Sequence, residues 1–217
     1  TTYIYTLSLH DALPIYRLHD TFIVRPGAPH NLLYASAQLG ASPSGEWRNC
    51  LVLVDADSTG VRILADNGRD NRNPSFSADG RLVAFWSGSP KIAYTPIALQ
   101  DEGYALHVVD VNSGKERELV GADAIPAASG PPAWSPDGRR IAFVQARSGA
   151  GRRIHLINVD GSGLLTPAPK ENYEPEHILW VDDSRIIFTH TGGPGLSELD
   201  LTAGTVSTAK AGGYRAP

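Results

Sequence analysis

The spacing that first suggests chemistry lies between Asp55 and Asp66. Asp55, Asp57 and Thr59 place oxygens at loop positions 1, 3 and 5, Gly60 sits at the sixth and Asp66 at the twelfth, an arrangement that wraps calcium in other chains. Two later segments give the same residue types a plainer role. Asp110-Val111-Asn112-Ser113-Gly114 and Asn158-Val159-Asp160-Gly161 supply the Asp, Asn and Gly that hairpin turns require. Val61 to Leu64 also reads as a strand, which takes Asp66 away from the loop. The expectation is a turn, with no metal and no cofactor. His107 and His155 stand at one position of successive similar segments, and equivalent points on adjacent sheets are about 10 Å apart, too far to share an ion, so both are expected to be structural. His177 and His190 flank a hairpin with no carboxylate or cysteine at ligand spacing. Gly-x-Ser-x-Gly, Gly-x-x-x-x-Gly-Lys, Cys-x-x-Cys and His-Glu-x-x-His do not occur in the sequence, so the residues for serine-hydrolase, phosphate-loop, dithiol or zinc-hydrolase chemistry are missing from it. The acidic pairs Asp101-Glu102 and Asp182-Asp183 fall in turns or loops, where solvation accounts for them. No catalytic residue is expected in this chain.

The segments that carry these residues repeat. Pro132-Ala133-Trp134-Ser135-Pro136-Asp137-Gly138-Arg139-Arg140-Ile141-Ala142-Phe143-Val144 has an earlier copy from Pro74 to Phe85, containing Phe76, Ser77, Asp79, Gly80 and Phe85. A later copy runs from Trp180 through Asp183 to Phe188 and is one residue shorter at the turn. The aromatic anchors Phe76, Trp134 and Trp180 are 58 and 46 residues apart. In the 132–144 copy Pro136 presets the first central position of a type I turn and Gly138 takes the left-handed conformation after it. The strand that follows, such as Arg140 to Val144, is apolar at odd and even positions alike, so both its faces must be covered. A second phrase, Leu51 to Asp55, Leu106 to Asp110, Ile154 to Asn158 and Leu196 to Asp200, leads through a glycine turn into another strand. The unit is four antiparallel strands in roughly 45 to 55 residues, the size of a propeller blade.

These phrases resemble the TolB-type β-propeller repeat, a WD-repeat-like blade whose hallmark is aromatic-Ser-Pro-Asp-Gly-(Lys/Arg)-x-Ile-Ala-Phe. The match is close at 132–144, good at 74–85 and loose at 175–188, where Asp182-Asp183-Ser184 replaces Pro-Asp-Gly. The resemblance implies an all-β chain, a propeller of four-stranded antiparallel blades. Four blades are expected, at about 16–66, 72–120, 131–167 and 175–209 within a unit spanning 16–210, as part of a six-bladed or larger propeller. Such repeats occur in periplasmic TolB of the Tol-Pal assembly, in the propellers of prolyl-oligopeptidase-like peptidases and in other secreted bacterial proteins. The resemblance therefore implies a periplasmic or secreted setting and a protein or peptide partner.

Because strands alternate direction, the short Pro-Asp-Gly and Asp-x-x-x-Gly turns open on one rim, and the irregular segments 38–49, 66–73, 87–103, 120–130, 145–153 and 167–174 open on the other. Uniform turns serve folding, whereas varied loops on a rigid scaffold serve binding. The expected binding residues are therefore Trp47, Arg69, Trp86, Tyr94, Tyr104, Arg147, Arg152 and Tyr173, aromatics and arginines of the kind that anchor interfaces.

The 217 residues suffice for one β domain, and a net charge of −4 with no basic stripe argues against nucleic acid. No apolar run approaches the ~20 residues of a membrane span. The single cysteine, Cys50, reads as a small core residue. The chain contains no methionine, so it is read as a processed chain or a truncated frame. Residues 1–15 resemble, apart from Tyr3, translated sequencing adapter and are expected to be an artefact outside the fold; 211–217 form a short tail. If four blades are all there is, bare apolar faces are expected at Leu32 and Tyr34 and at Ile187. The function expected is a noncatalytic scaffold of TolB type. The alternatives are the gating propeller of a serine peptidase whose catalytic domain lies elsewhere and a propeller lyase or sugar-processing enzyme.

Overall fold

The computed structural model describes residues 23–35, 46–47, 49–55, 60–89, 91–92, 103–124, 128–147, 151–167, 173–190 and 193–208. Residues 1–15, the tail 211–217 and Tyr94 lie outside these, and of Trp47 and Arg147 the backbone alone is described.

The regular structure of the described chain is almost entirely strand. One sheet takes the order β1 (Ile23–Arg25), β2 (Ala28–Ala35), β4 (Leu51–Asp55), β5 (Val61–Ala65); a second takes β6 (Asp70–Phe76), β7 (Leu82–Gly88), β9 (Ala105–Asp110), β10 (Glu116–Val120). A third holds β11 (Ala128–Trp134), β12 (Arg140–Arg147) and β13 (Gly151–Asn158), with Leu165 bridging Leu156 at its outer edge. A fourth takes β14 (Pro175–Asp182), β15 (Arg185–His190), β16 (Gly193–Asp200) and β17 (Thr205–Thr208). Every pairing is antiparallel between chain neighbours within the sheet, as propeller blades require. A separate ribbon joins β3 (Glu46–Trp47) to β8 (Lys91–Ile92), so the insertions of the first two sheets meet.

The unalternating apolar runs are explained by face-to-face stacking. Val83 and Phe85 pack with Leu51 and Leu53 of the preceding sheet, while Ala84 and Trp86 pack with Ile141 and Phe143 of the following one. Ala142 and Val144 then meet Ile186 and Phe188. Each middle sheet is thus buried on both faces, and period-2 alternation separates two neighbours rather than core from water.

The Ser-x-Asp-Gly turns are built alike. The Ser77 and Ser135 hydroxyls donate to Asp79 and Asp137 at 2.6 Å, and each carboxylate also accepts the amide of Arg81 or Arg139. These bonds hold both carboxyls below the usual range, the serine hydroxyl contributing most. Indoles tie the innermost strands together: Trp134 Nε1 donates to Ser75 O and Trp180 Nε1 to Ala133 O, both at 3.0 Å. On the outer side Arg62 donates to the Val111 carbonyl and Arg117 to that of Val159.

Two expectations change. The segment 66–73 is not all connection, because β6 begins at Asp70 and carries a register shift between Arg72 and Ser75, where Asn73 adopts φ 49°. The segment 145–153 is largely strand: β12 runs through Arg147, and β13 starts at Gly151 and holds Arg152. Continuous pairing from Arg140 to Arg147 satisfies backbone groups that a loop would leave to water.

Candidate functional site

The irregular rim carries a buried polar hub. Asp70, at the start of β6, is 1 % exposed, a position that an ionised carboxylate occupies only with several donors. Asn49, just before β4, supplies two: its amide N at 3.1 Å and its Nδ2 at 2.6 Å. Tyr104, just before β9, donates its hydroxyl to Asp70 Oδ2 at 3.1 Å. Arg72 Nε forms an ion pair with the same oxygen at 2.6 Å. Asn49 and Tyr104 are where the segments carrying β3 and β8 rejoin the sheets, so one carboxylate gathers the feet of both, and the β3 to β8 ribbon joins them a second time.

Packing fixes this geometry. A Cβ on Gly88 would stand 2.6 Å from the Tyr104 ring, so glycine lets the ring lie flat against β7 and reach Asp70. The guanidinium of Arg72 lies 5.8 Å from the Tyr104 ring centroid, a cation–π distance. Behind the hub, buried Asn71 reaches Asn67 Oδ1 at 3.2 Å. Asn67 in turn donates to Ser87 Oγ and to Glu116 Oε1 at 2.7 Å. Burial opposes the charge of Glu116, but its contacts with His107 and Asn67 outweigh that and bring its carboxyl below the usual range. A carboxylate only accepts, so His107 Nδ1, 2.6 Å from Glu116, carries the proton.

The expected binding residues separate into three groups. Tyr104 belongs to the hub, and Arg69 lies beside it with its amide on Asn67 Oδ1 at 3.1 Å. Trp86 and Tyr173 are each 2 % exposed and are corrected from rim anchors to interior residues. Trp86 packs edge-on to Phe143 and donates to Gly130 O at 2.8 Å. Tyr173 packs on Phe188 and lies under Arg153, and burial pushes its phenol up. Arg152 is half-buried in β13 with its amide on Glu174 Oε2 at 2.9 Å. Asn49, Asp70 and Arg72 were not anticipated, because the positions matching Asp70 and Arg72 in the next repeat are Ala128 and Gly130. A charged residue flanked by asparagines before a strand was the available signal.

The other candidate ligands serve turns and packing. Asp55 N donates to Gly60 O at 2.9 Å, closing a hairpin, and β5 carries Asp66 to the opposite rim. His155 stacks on Phe143 and meets Thr166 Oγ1 at 2.8 Å. His190 packs on Phe188 and meets Ser197 Oγ at 2.8 Å. Among the described residues no group of three His, Cys, Asp or Glu converges for a metal, and no helix is long and apolar enough to cross a membrane.

No protein-family model matches the chain. Dipeptidyl-peptidase 5 of Trichophyton equinum is 29 % identical over 126 residues, which covers 52 % of this chain and 17 % of that protein. The chain therefore spans about a sixth of the length of such relatives. Among solved structures, a puromycin hydrolase S511A mutant complexed with PGG matches with a TM-score of 0.66 at 18 % identity, over 92 % of this chain and 32 % of that one. TolB from Acinetobacter baumannii matches with a TM-score of 0.60 at 16 % identity, over 86 % and 43 % respectively. At these identities the likeness is one of fold, and with the stacked four-stranded sheets it makes the described chain a β-propeller region.

Proposed function

We propose that this chain is a noncatalytic propeller unit that holds a peptide or protein on its irregular rim, in the manner expected of a TolB-type scaffold in a periplasmic or secreted setting. The observation that supports it most is the hub at Asp70. A buried carboxylate gathers two inserted segments whose ribbon lies outside the four sheets, and stability alone does not ask for such insertions. The test is a binding screen of the 217-residue chain against an immobilised peptide library, repeated with Asp70→Asn on the irregular rim and Asp137→Asn on the uniform one. Binding that Asp70→Asn abolishes and Asp137→Asn keeps is the expected result. Binding lost only with Asp137→Asn, or never seen with the folded chain, overturns the reading.

A second reading is favoured by the relatives: the propeller of a serine peptidase, admitting peptides to a catalytic domain encoded elsewhere in the same gene. The dipeptidyl-peptidase 5 match and the puromycin hydrolase likeness support it. Sequencing the gene beyond the codons for this chain separates the two, since an α/β-hydrolase domain with Gly-x-Ser-x-Gly belongs to the second alone.

A further inference from the structure

We propose that Arg72 is a carboxylate-binding residue, reading a peptide's C-terminus or an acidic side chain where the irregular rim meets the innermost strands; this rests on the peptide-binding reading above. Arg72 is held at its root by Asp70 and partly exposed beyond it. Its Nε is held by Asp70 at 2.6 Å and its plane lies by Tyr104, yet the side chain is 37 % exposed. Among the described residues its two terminal nitrogens meet no acceptor. Three other donors already serve Asp70, namely Asn49 N, Asn49 Nδ2 and Tyr104 OH, so the carboxylate does not depend on the arginine alone. A guanidinium with a locked stem and an open fork suits a planar two-oxygen acceptor, and little rotamer freedom remains to be lost on binding.

The next sheet borders Arg72 through its strand partner. Trp86 is the register partner of Arg72 in the sheet, and its indole donates to Gly130 O, which brings β11 alongside. Gly130 carries no side chain and takes the left-handed conformation that Asn73 takes in the previous repeat. A Cβ there would come into van der Waals contact with Glu176 O at 3.6 Å and His177 Nδ1 at 4.0 Å, so the fourth sheet packs against Gly130 and brings an exposed histidine beside it. Fork, bare strand and imidazole come from three successive sheets. No structural need of the repeat places an arginine here, since the residue paired at this point of the innermost strand is Ser129 in the third sheet.

The probes are fluorescein-labelled heptapeptides of mixed sequence in three sets: free C-terminus, C-terminal amide, and C-terminal amide with one internal Glu. Fluorescence polarisation reads them against the wild-type chain, Arg72→Gln and Arg72→Lys. Free-carboxylate or Glu peptides are expected to bind, with Arg72→Gln weakening them about tenfold or more and Arg72→Lys partly restoring them, the range for a charge-assisted pair. Loss on amidation identifies the C-terminus, and retention by the Glu set identifies an acidic side chain. Equal binding by wild type and Arg72→Gln overturns the carboxylate site while leaving rim binding intact; no peptide binding by the folded wild type overturns both. Should both variants misfold, N-acetylglycine and N-acetylglycinamide are titrated into the wild type while the Trp86 indole NH signal is followed. A shift with the acid alone supports the site, and no shift, or equal shifts, overturns it.

Discussion

Asp70 accepts from a backbone amide, a carboxamide and a phenol while pairing with a guanidinium. Replacing one of its oxygens by NH2 sets donor against donor at two or more of these contacts. Asp70→Asn is therefore expected to cost about 2–3 kcal/mol, the range for hydrogen bonds to a charged group, read as a lower urea midpoint at unchanged slope. Asp182 makes a different, pH-dependent contribution. The Arg185 guanidinium, 2.6 Å from it, holds its carboxyl at about 2, against an ordinary 3.8. A depressed folded value means that the contribution is complete above the unfolded value and is lost as pH falls through the folded one. Wild type is accordingly expected to exceed Asp182→Asn in stability at pH 5, and the two curves should converge toward pH 2 as measured by urea denaturation. Divergence on acidification would exclude this pair as the source. Asp182 was visible in the sequence as part of a degenerate turn, whereas Asp70 was not visible as a hub. A repeat exposes what recurs, and the hub depends on contacts between segments 21 and 34 residues away in sequence, which no local period encodes.

The repeated turn made the fold legible, since its glycine, proline and flanking apolar strand each have a local cause. What the sequence could not show is how each turn meets its neighbours. Gly80 and Gly138 have the same conformation, φ 69° and 68°, in the same Ser-x-Asp-Gly context. A Cβ on Gly138 meets nothing within 4 Å, whereas one on Gly80 would lie 2.5 Å from the carbonyl oxygen of Pro26. Arg25 clasps that turn through its Nε on Gly80 O at 2.9 Å. Gly138→Ala is thus expected to cost about 1–2 kcal/mol, the penalty of a left-handed L-residue. Gly80→Ala should cost more, because the first sheet's turn has to give way as well. Chemical denaturation of the two variants side by side checks this; equal losses would mean that the contact with Pro26 yields freely. The same distinction explains the tryptophans, whose aromatic character was legible as an anchor but whose indole bonds to the preceding innermost strand were not.

At the scale of the whole molecule, each sheet presents one face forward, and the residues on it recur. Leu51, Leu106 and Ile154 stand at the same place in the third strand of successive sheets and are fully buried. Their counterpart in the fourth sheet is Leu196, 45 % exposed, and Leu179 on the same sheet is 62 % exposed. Ile187, expected to be bare, is half-buried between them, paired in register with Leu179. The face is less apolar than its predecessors, since Thr189 and Glu198 occupy the positions of Val144 and Leu156, so any contact it makes in isolation should be weak and concentration-dependent. A leucine removed from water is worth about 1.5–3 kcal/mol, so only the exposed leucines of both copies together, set against the cost of association, would let the chain pair through this face, and then only at high protein concentration. Sedimentation velocity across a hundredfold range of concentration should show a monomer giving way to a dimer. Leu196→Glu, which adds a second carboxylate beside Glu198, should hold the chain monomeric. Leu164→Glu provides the control: it is 48 % exposed but lies at the edge of the third sheet, and it should leave the dimer unchanged. If Leu164→Glu disperses the dimer and Leu196→Glu does not, the forward face of the fourth sheet is not where the copies meet, and the edge beyond Leu165 takes its place.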